Sequence, residues 1–200
     1  MPKETFFNLP TEKKQKLLDA LHKEFSEQPL ATASIAHIIQ YADIPRGSFY
    51  QYFDDLEDAY FYIFNQQIEL AMVKYIWILE KSEGDIFQAS IELYRIIIQE
   101  EDHFTFFKHA FLNMNYKIEK CLSGIFANEE RFEHFEDIYK RLDLQSLKLE
   151  KKEEIFQLMK LISAITLHNI TEKFSKELSL DEAVQTYQTQ LAFIKSGVVQ

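Results

Sequence analysis

Apolar residues recur every three or four positions along most of the chain, which is the spacing of one face of an α-helix. Leu17, Leu18, Leu21 and Phe25 predict a first helix from about Thr11 to Ser26, ended by Gln28-Pro29. Ile35, Ile38 and Ile39 predict a second, short helix, with Ser34 placed to accept a bond from one of its unpaired N–H groups. Ala42-Asp43-Ile44 closes that unit. Asp is one of the few non-glycine residues that tolerates the left-handed backbone a tight turn needs. Pro45 suits the first turn of a third helix, running to Tyr52, because a proline there loses no hydrogen bond. A long stripe follows: Leu56, Tyr60, Ile63, Phe64, Ile68, Ala71, Met72, Tyr75 and Leu79. It predicts one helix opened by Asp54-Asp55, whose carboxylates suit the positive end of the helix dipole. Met1 to Leu9 reads as a short arm, and Ser82-Glu83-Gly84-Asp85 as a turn.

Beyond the turn, Ile86, Phe87, Leu93, Ile96 and Ile97 predict a helix over about 85–100. Phe104, Phe106, Phe107 and Phe111 predict an aromatic one over about 103–114. Weaker patterns lie near 116–126 and 130–141, followed by a loop from Asp143 to Lys151. Two final helices are expected at about 151–176 and 180–196. In the last, Val184, Tyr187, Leu191 and Ile194 form a narrow seam of the kind that packs helix on helix.

Only 4 Gly and 4 Pro among 200 residues leave few breakers, which supports an all-α fold. The pattern divides into an N-terminal head of three helices, 1–53, and a larger helical body, 54–200, joined through the long helix. Cys121 is the one cysteine, so no internal disulfide can form. No basic-then-apolar leader and no run of ~18 apolar residues stands out, and a cytoplasmic protein with no membrane role is expected. The net charge is −10, but it is unevenly spread: residues 1–53 hold six basic and six acidic side chains. All the excess acid is in the body. A near-neutral head can still meet a polyanion through one positive face, with a shallow salt dependence.

The helix from Pro45 to Tyr52 is unusual in what it offers to solvent. Arg46, Gly47, Ser48, Tyr50, Gln51 and Tyr52 are outward candidates, while Phe49 and Phe53 are left to anchor it. Two short helices joined by a tight turn form the helix-turn-helix that sets its second helix in a DNA major groove. A helical hairpin in an unrelated all-α protein is the bland alternative, and it gives no reason to expose two tyrosines, an arginine and a glycine together.

Pro45-Arg-Gly-Ser-Phe-Tyr-Gln-Tyr-Phe53, after Ala42-Asp43-Ile44 and before a long helix, resembles the tetracycline-repressor (TetR) family of bacterial regulators. The resemblance covers residues 10–64; the body carries no recognisable motif. It implies a homodimer that reads a pseudo-palindromic DNA operator and a body that binds a small-molecule effector. It puts Arg46, Ser48, Tyr50 and Gln51 on the reading face, Tyr52 on a phosphate and Ser34 near the DNA backbone, with Gly47 allowing close approach. Arginine suits guanine, and hydroxyls suit phosphate. The last two helices would form the dimer interface, which singles out Ile162, Val184, Tyr187, Leu191 and Ile194. Two departures stand out. Asp43 occupies a turn position where the family usually has Gly, and Leu56 stands about where a phosphate-binding Lys is usual. Asp54, Asp55, Glu57 and Asp58 make that neighbourhood acidic.

The expected function is a ligand-responsive transcriptional regulator, a repressor released from its operator by a hydrophobic or aromatic effector. The rival is a helical ligand-binding or interaction protein whose DNA binding is weak or lost, as the acidic 54–58 segment suggests. The aromatic helix reads equally as core or as a pocket wall; Phe107, His109, Phe111, Asn113 and His168 are the candidate lining. The six histidines lack paired metal spacing, and His103 and His109 would face different sides of a helix. No phosphate loop, nucleophile elbow or nucleophile–base set is present, so neither an enzyme nor a cofactor is expected.

Overall fold

The structure, a computed structural model, describes residues 1–99, 105–127 and 132–199. These residues form eleven α-helices and a 3-10 turn at Leu144–Ser146; the only strand-like pairing among them is an isolated bridge, Leu147 to Val199. The fold is all-α, as the periodicity predicts. The side chains of Phe104, His103 and His134, and the charge run Glu129-Glu130, lie outside the described residues.

Contacts divide the chain into two units. The first is Met1–Glu69 with Thr105–Asn113, and the second is Leu70–Phe104 with Met114–Gln200. The first holds α1 (Glu4–Phe7), α2 (Thr11–Glu27), α3 (Ile35–Ala42), α4 (Arg46–Tyr52), the first half of α5 (Leu56–Lys81) and α7 (Thr105–Leu112). Its core is Leu17, Leu21 and Phe25 of α2, Ile38 of α3, Phe49 of α4, Phe53, and Ile63 and Phe64 of α5, all essentially without exposure. Tyr60 of α5 meets Phe25 with ring centroids 5.1 Å apart and Phe106 of α7 at 5.2 Å. These rings explain why this unit extends past Phe53, the end of the head in the sequence pattern: the start of α5 carries the unit's hydrophobic wall. The N-terminal arm is also more than an arm. Phe6 is fully buried, 5.2 Å from both Phe53 and Tyr62, and the chain coils into α1 around it.

The second unit holds the rest of α5, α6 (Ile86–Ile98), α8 (Tyr116–Ala127), α9 (Phe132–Tyr139), α10 (Lys152–Ser175) and α11 (Leu180–Val198). The turn between α5 and α6 requires its glycine. Gly84 has φ +83°, and a Cβ there would stand 2.4 Å from Asp143 N and 2.6 Å from Arg141 O. Asp85 then caps α6 through the N–H groups of Phe87 and Gln88, and Lys195 donates to its other oxygen at 2.9 Å. Burial raises the Asp85 pKa, but the Lys195 bond and charge with the two N–H donors outweigh it, so the net shift is downward. A tyrosine cluster ties α6, α10 and α11 together. Tyr94 and Tyr187 rings lie 4.4 Å apart, Tyr94 OH donates to Asn169 O at 3.3 Å, and Thr166 Oγ1 lies 2.6 Å from Tyr187 OH. No helix among the described residues is long and apolar enough to cross a membrane.

Candidate nucleic-acid interface

Ser34, Asp43 and Pro45 build the two-helix unit by local chemistry. Ser34 Oγ accepts from Ala36 N–H at 3.2 Å, so the serine caps α3. Asp43 sits at φ 55°, ψ 51°, and the N–H groups of Asp43 and Ile44 both return to Ile39 O, which closes the helix. Pro45, extended at φ −61° and ψ 146°, is the N-cap residue of α4.

The seven residues of α4 are held by two rings. Phe49 and Phe53 are fully buried, 5.6 Å apart. Their burial turns Arg46, Gly47, Tyr50 and Gln51 to solvent, with Ser48 and Tyr52 half-buried at the edges of that face. Tyr50 is 41% exposed, with its ring edge-on to Phe49 at 5.5 Å. Gly47 is informative for what it lacks. A Cβ built on it meets nothing within 4 Å, and its backbone is ordinary helix. A helical glycine costs about 1 kcal/mol relative to alanine, and nothing inside this chain asks for one here.

One tie within this unit is not legible in the sequence. Glu24 of α2 is buried, at 1% exposure; it accepts from Ser34 N–H at 2.6 Å and lies 3.2 Å from His37 Nδ1. Its carboxylate ties the first helix to the start of α3. The acidic segment at 54–58 opens α5, as Asp54-Asp55 predicts. Lys3 Nζ pairs with Asp54 at 2.9 Å, and this hydrogen bond, with the lysine's charge, lowers the Asp54 pKa below the usual carboxylate range. Asp55 caps α5 at Asp58 N–H, and Asp58 accepts from Asp54 N–H. Asp54, Asp55 and Asp58 of this acidic segment are thus engaged in an ion pair and in backbone hydrogen bonds at the start of α5. Lys14 Nζ lies over the rings of Phe6 and Phe7 at 5.0 and 5.3 Å.

Residues 17–58 match the family described as bacterial regulatory proteins, tetR family, and residues 85–198 match the tetracyclin repressor-like C-terminal domain. The chain belongs to the TetR family. It is a TetR-family transcriptional regulator, and its members are non-enzymatic DNA-binding proteins. Among solved structures, a TetR-family regulator from Pectobacterium atrosepticum shares the fold at a TM-score of 0.68, with 14% identity over 96% of this chain and 98% of that one. The TetR-family repressor AlkX from Dietzia sp. strain DQ12-45-1b, implicated in n-alkane biodegradation, gives 0.54, with 13% identity over 92% and 98%. A regulator from Chloroflexus aurantiacus J-10-FL is 24% identical over 100% and 99%, with a TM-score of 0.48. No curated protein matches the chain.

The remaining candidate residues of this TetR-family chain fall in different places. Phe107 and Phe111 are buried in the first unit, stacked at 5.7 Å, and Phe107 also meets Phe64 at 6.2 Å. His109 is half-buried, and its carbonyl accepts from the exposed Asn113 side chain at 2.9 Å. His168 is exposed on α10, in the second unit. Ile162, Val184, Tyr187 and Leu191 are buried within the single chain, and Ile194 is half-buried. The seam pairs α11 with α10 and α6 of its own chain. The outward side of α11 instead shows Phe193 at 73% exposure, and α10 shows Leu161 at 49%.

Proposed function

We propose that this regulator is a repressor that reads a pseudo-palindromic operator with two copies of α4 and leaves it when a small hydrophobic or aromatic effector binds. The observation that carries the reading is the exposed face of α4, where Arg46, Tyr50 and Gln51 surround a glycine that the chain's own packing does not use. Arg46 is suited to guanine, Tyr50 and Gln51 to base edges or phosphate, and Tyr52, Ser48 and Ser34 to the sugar-phosphate backbone. The dimer would form through the outward side of α10 and α11, with Phe193 and Leu161 as its apolar contacts. The link for effector release is covalent, because α5 supplies residues to both units. An effector shifts the equilibrium only by binding the DNA-free arrangement more tightly. Phe107 and Phe111 of the first unit, with His109 and Asn113 as polar neighbours, are the proposed site.

The test is selection of a duplex from a random pool by the full chain, followed by release of that duplex by a panel of small aromatic and aliphatic compounds. The reading expects a two-half-site consensus and at least one releasing compound. Absence of any enriched sequence would overturn it.

A further inference from the structure

We infer that residues 3–6 form a strap that fixes the C-terminal end of the recognition helix, and that Lys3 and Thr5 are positioning residues for DNA recognition. The inference rests on the DNA-reading role of α4. A helix of seven residues is too short to hold itself, and its last carbonyls have no partner within the helix. Here three consecutive ones are taken by the N-terminal segment. Tyr50 O accepts from Lys3 Nζ at 2.9 Å, Gln51 O accepts from Thr5 Oγ1, and Tyr52 O accepts from Lys3 N–H at 2.8 Å.

The chemistry suits the place. An ammonium group is favourable at the negative end of a helix dipole. Lys3 Nζ also pairs with Asp54, the second residue after α4, so one side chain holds the last turn and the chain leaving it. The strap is itself pinned, because Phe6 is fully buried against Phe53 and Tyr62. Tyr50 and Gln51 lie on the strapped turn, so the backbone that aims two reading side chains is set by a segment 46 and 47 residues away in sequence. These residues precede the 17–58 segment that matches the family's DNA-binding domain, so the strap is a feature of this chain beyond that match. Thr5 gives its hydroxyl proton to α4, and Lys3 divides its ammonium group between Tyr50 O and Asp54, which assigns both a positioning role.

Two readouts on the full chain test this. Amide hydrogen exchange across 46–53 reads the strap without DNA. Fluorescence anisotropy with the duplex selected by wild type, at several salt concentrations, reads its role. Thr5→Ala and Lys3→Met should speed exchange in α4 and weaken DNA binding by about fivefold each, the scale of one helix-end hydrogen bond. Thr5→Ser should restore both. The salt slope should be unchanged in Thr5→Ala and in Lys3→Met. Unchanged exchange in α4 would overturn the strap. A slope reduced by about one in Lys3→Met would make Lys3 a phosphate contact and overturn its positioning role. If wild type selects no duplex, the DNA-reading role falls and the positioning role with it, while exchange still reports separately on the strap.

Discussion

Ser34 and Glu24 are joined by a 2.6 Å hydrogen bond from the serine N–H to the glutamate carboxylate, at the start of the helix-turn-helix. A carboxylate at 1% exposure is tolerable only when donors surround it, and the N-terminus of α3 provides them along with a favourable dipole. Glu24→Leu fills a similar volume but leaves the Ser34 N–H without its partner. It should destabilise the first unit by about 1–3 kcal/mol, measured by denaturant unfolding. A stability equal to wild type would show that the bond contributes nothing.

Gly47→Ala separates folding from recognition. No atom lies within 4 Å of the added methyl group, and alanine favours helix over glycine by about 1 kcal/mol. The variant should unfold at higher denaturant and bind the operator more weakly. Equal or tighter DNA binding would mean that no ligand approaches α4 at this point.

The helix-turn-helix was legible because its signals are local. Ser34 caps, Asp43 turns, Pro45 starts, and Phe49 and Phe53 are four residues apart on one face. The strap and the Glu24 tie were not, because they join residues far apart in sequence whose types are common on any helix surface. Periodicity marked the α11 seam of Val184, Tyr187 and Leu191 as buried, and it is. Periodicity cannot say against what, and the partner is the same chain. Asp54-Asp55 marks the start of α5 by its carboxylates alone, and Asp55 caps it; the pairing of Asp54 with Lys3 is not legible, because those residues lie far apart in sequence.

Three buried tyrosines of the second unit, Tyr75 of α5 with Tyr94 and Tyr187, set an alkaline limit. Burial pushes Tyr75 and Tyr94 from the ordinary 10.0 to about 12, with the Glu172 charge adding to the shift at Tyr94, and burial pushes Tyr187 up as well. A raised pKa favours the neutral, folded form. That stabilisation is complete below pH 10.0 and is lost as pH rises from there through about 12. Phenolate absorbance and helical circular dichroism, followed together, should show these phenols ionising as helix is lost. Ionisation of all tyrosines with helix intact would contradict the burial argument.

The most direct test of the central claim is the affinity of Arg46→Ala and Tyr50→Ala for the selected operator duplex, by fluorescence anisotropy at fixed salt. Each should weaken binding by about 1–3 kcal/mol, roughly five- to 150-fold, with the fold unchanged by circular dichroism. Wild-type affinity in both variants would contradict the reading of α4 as the surface that meets DNA.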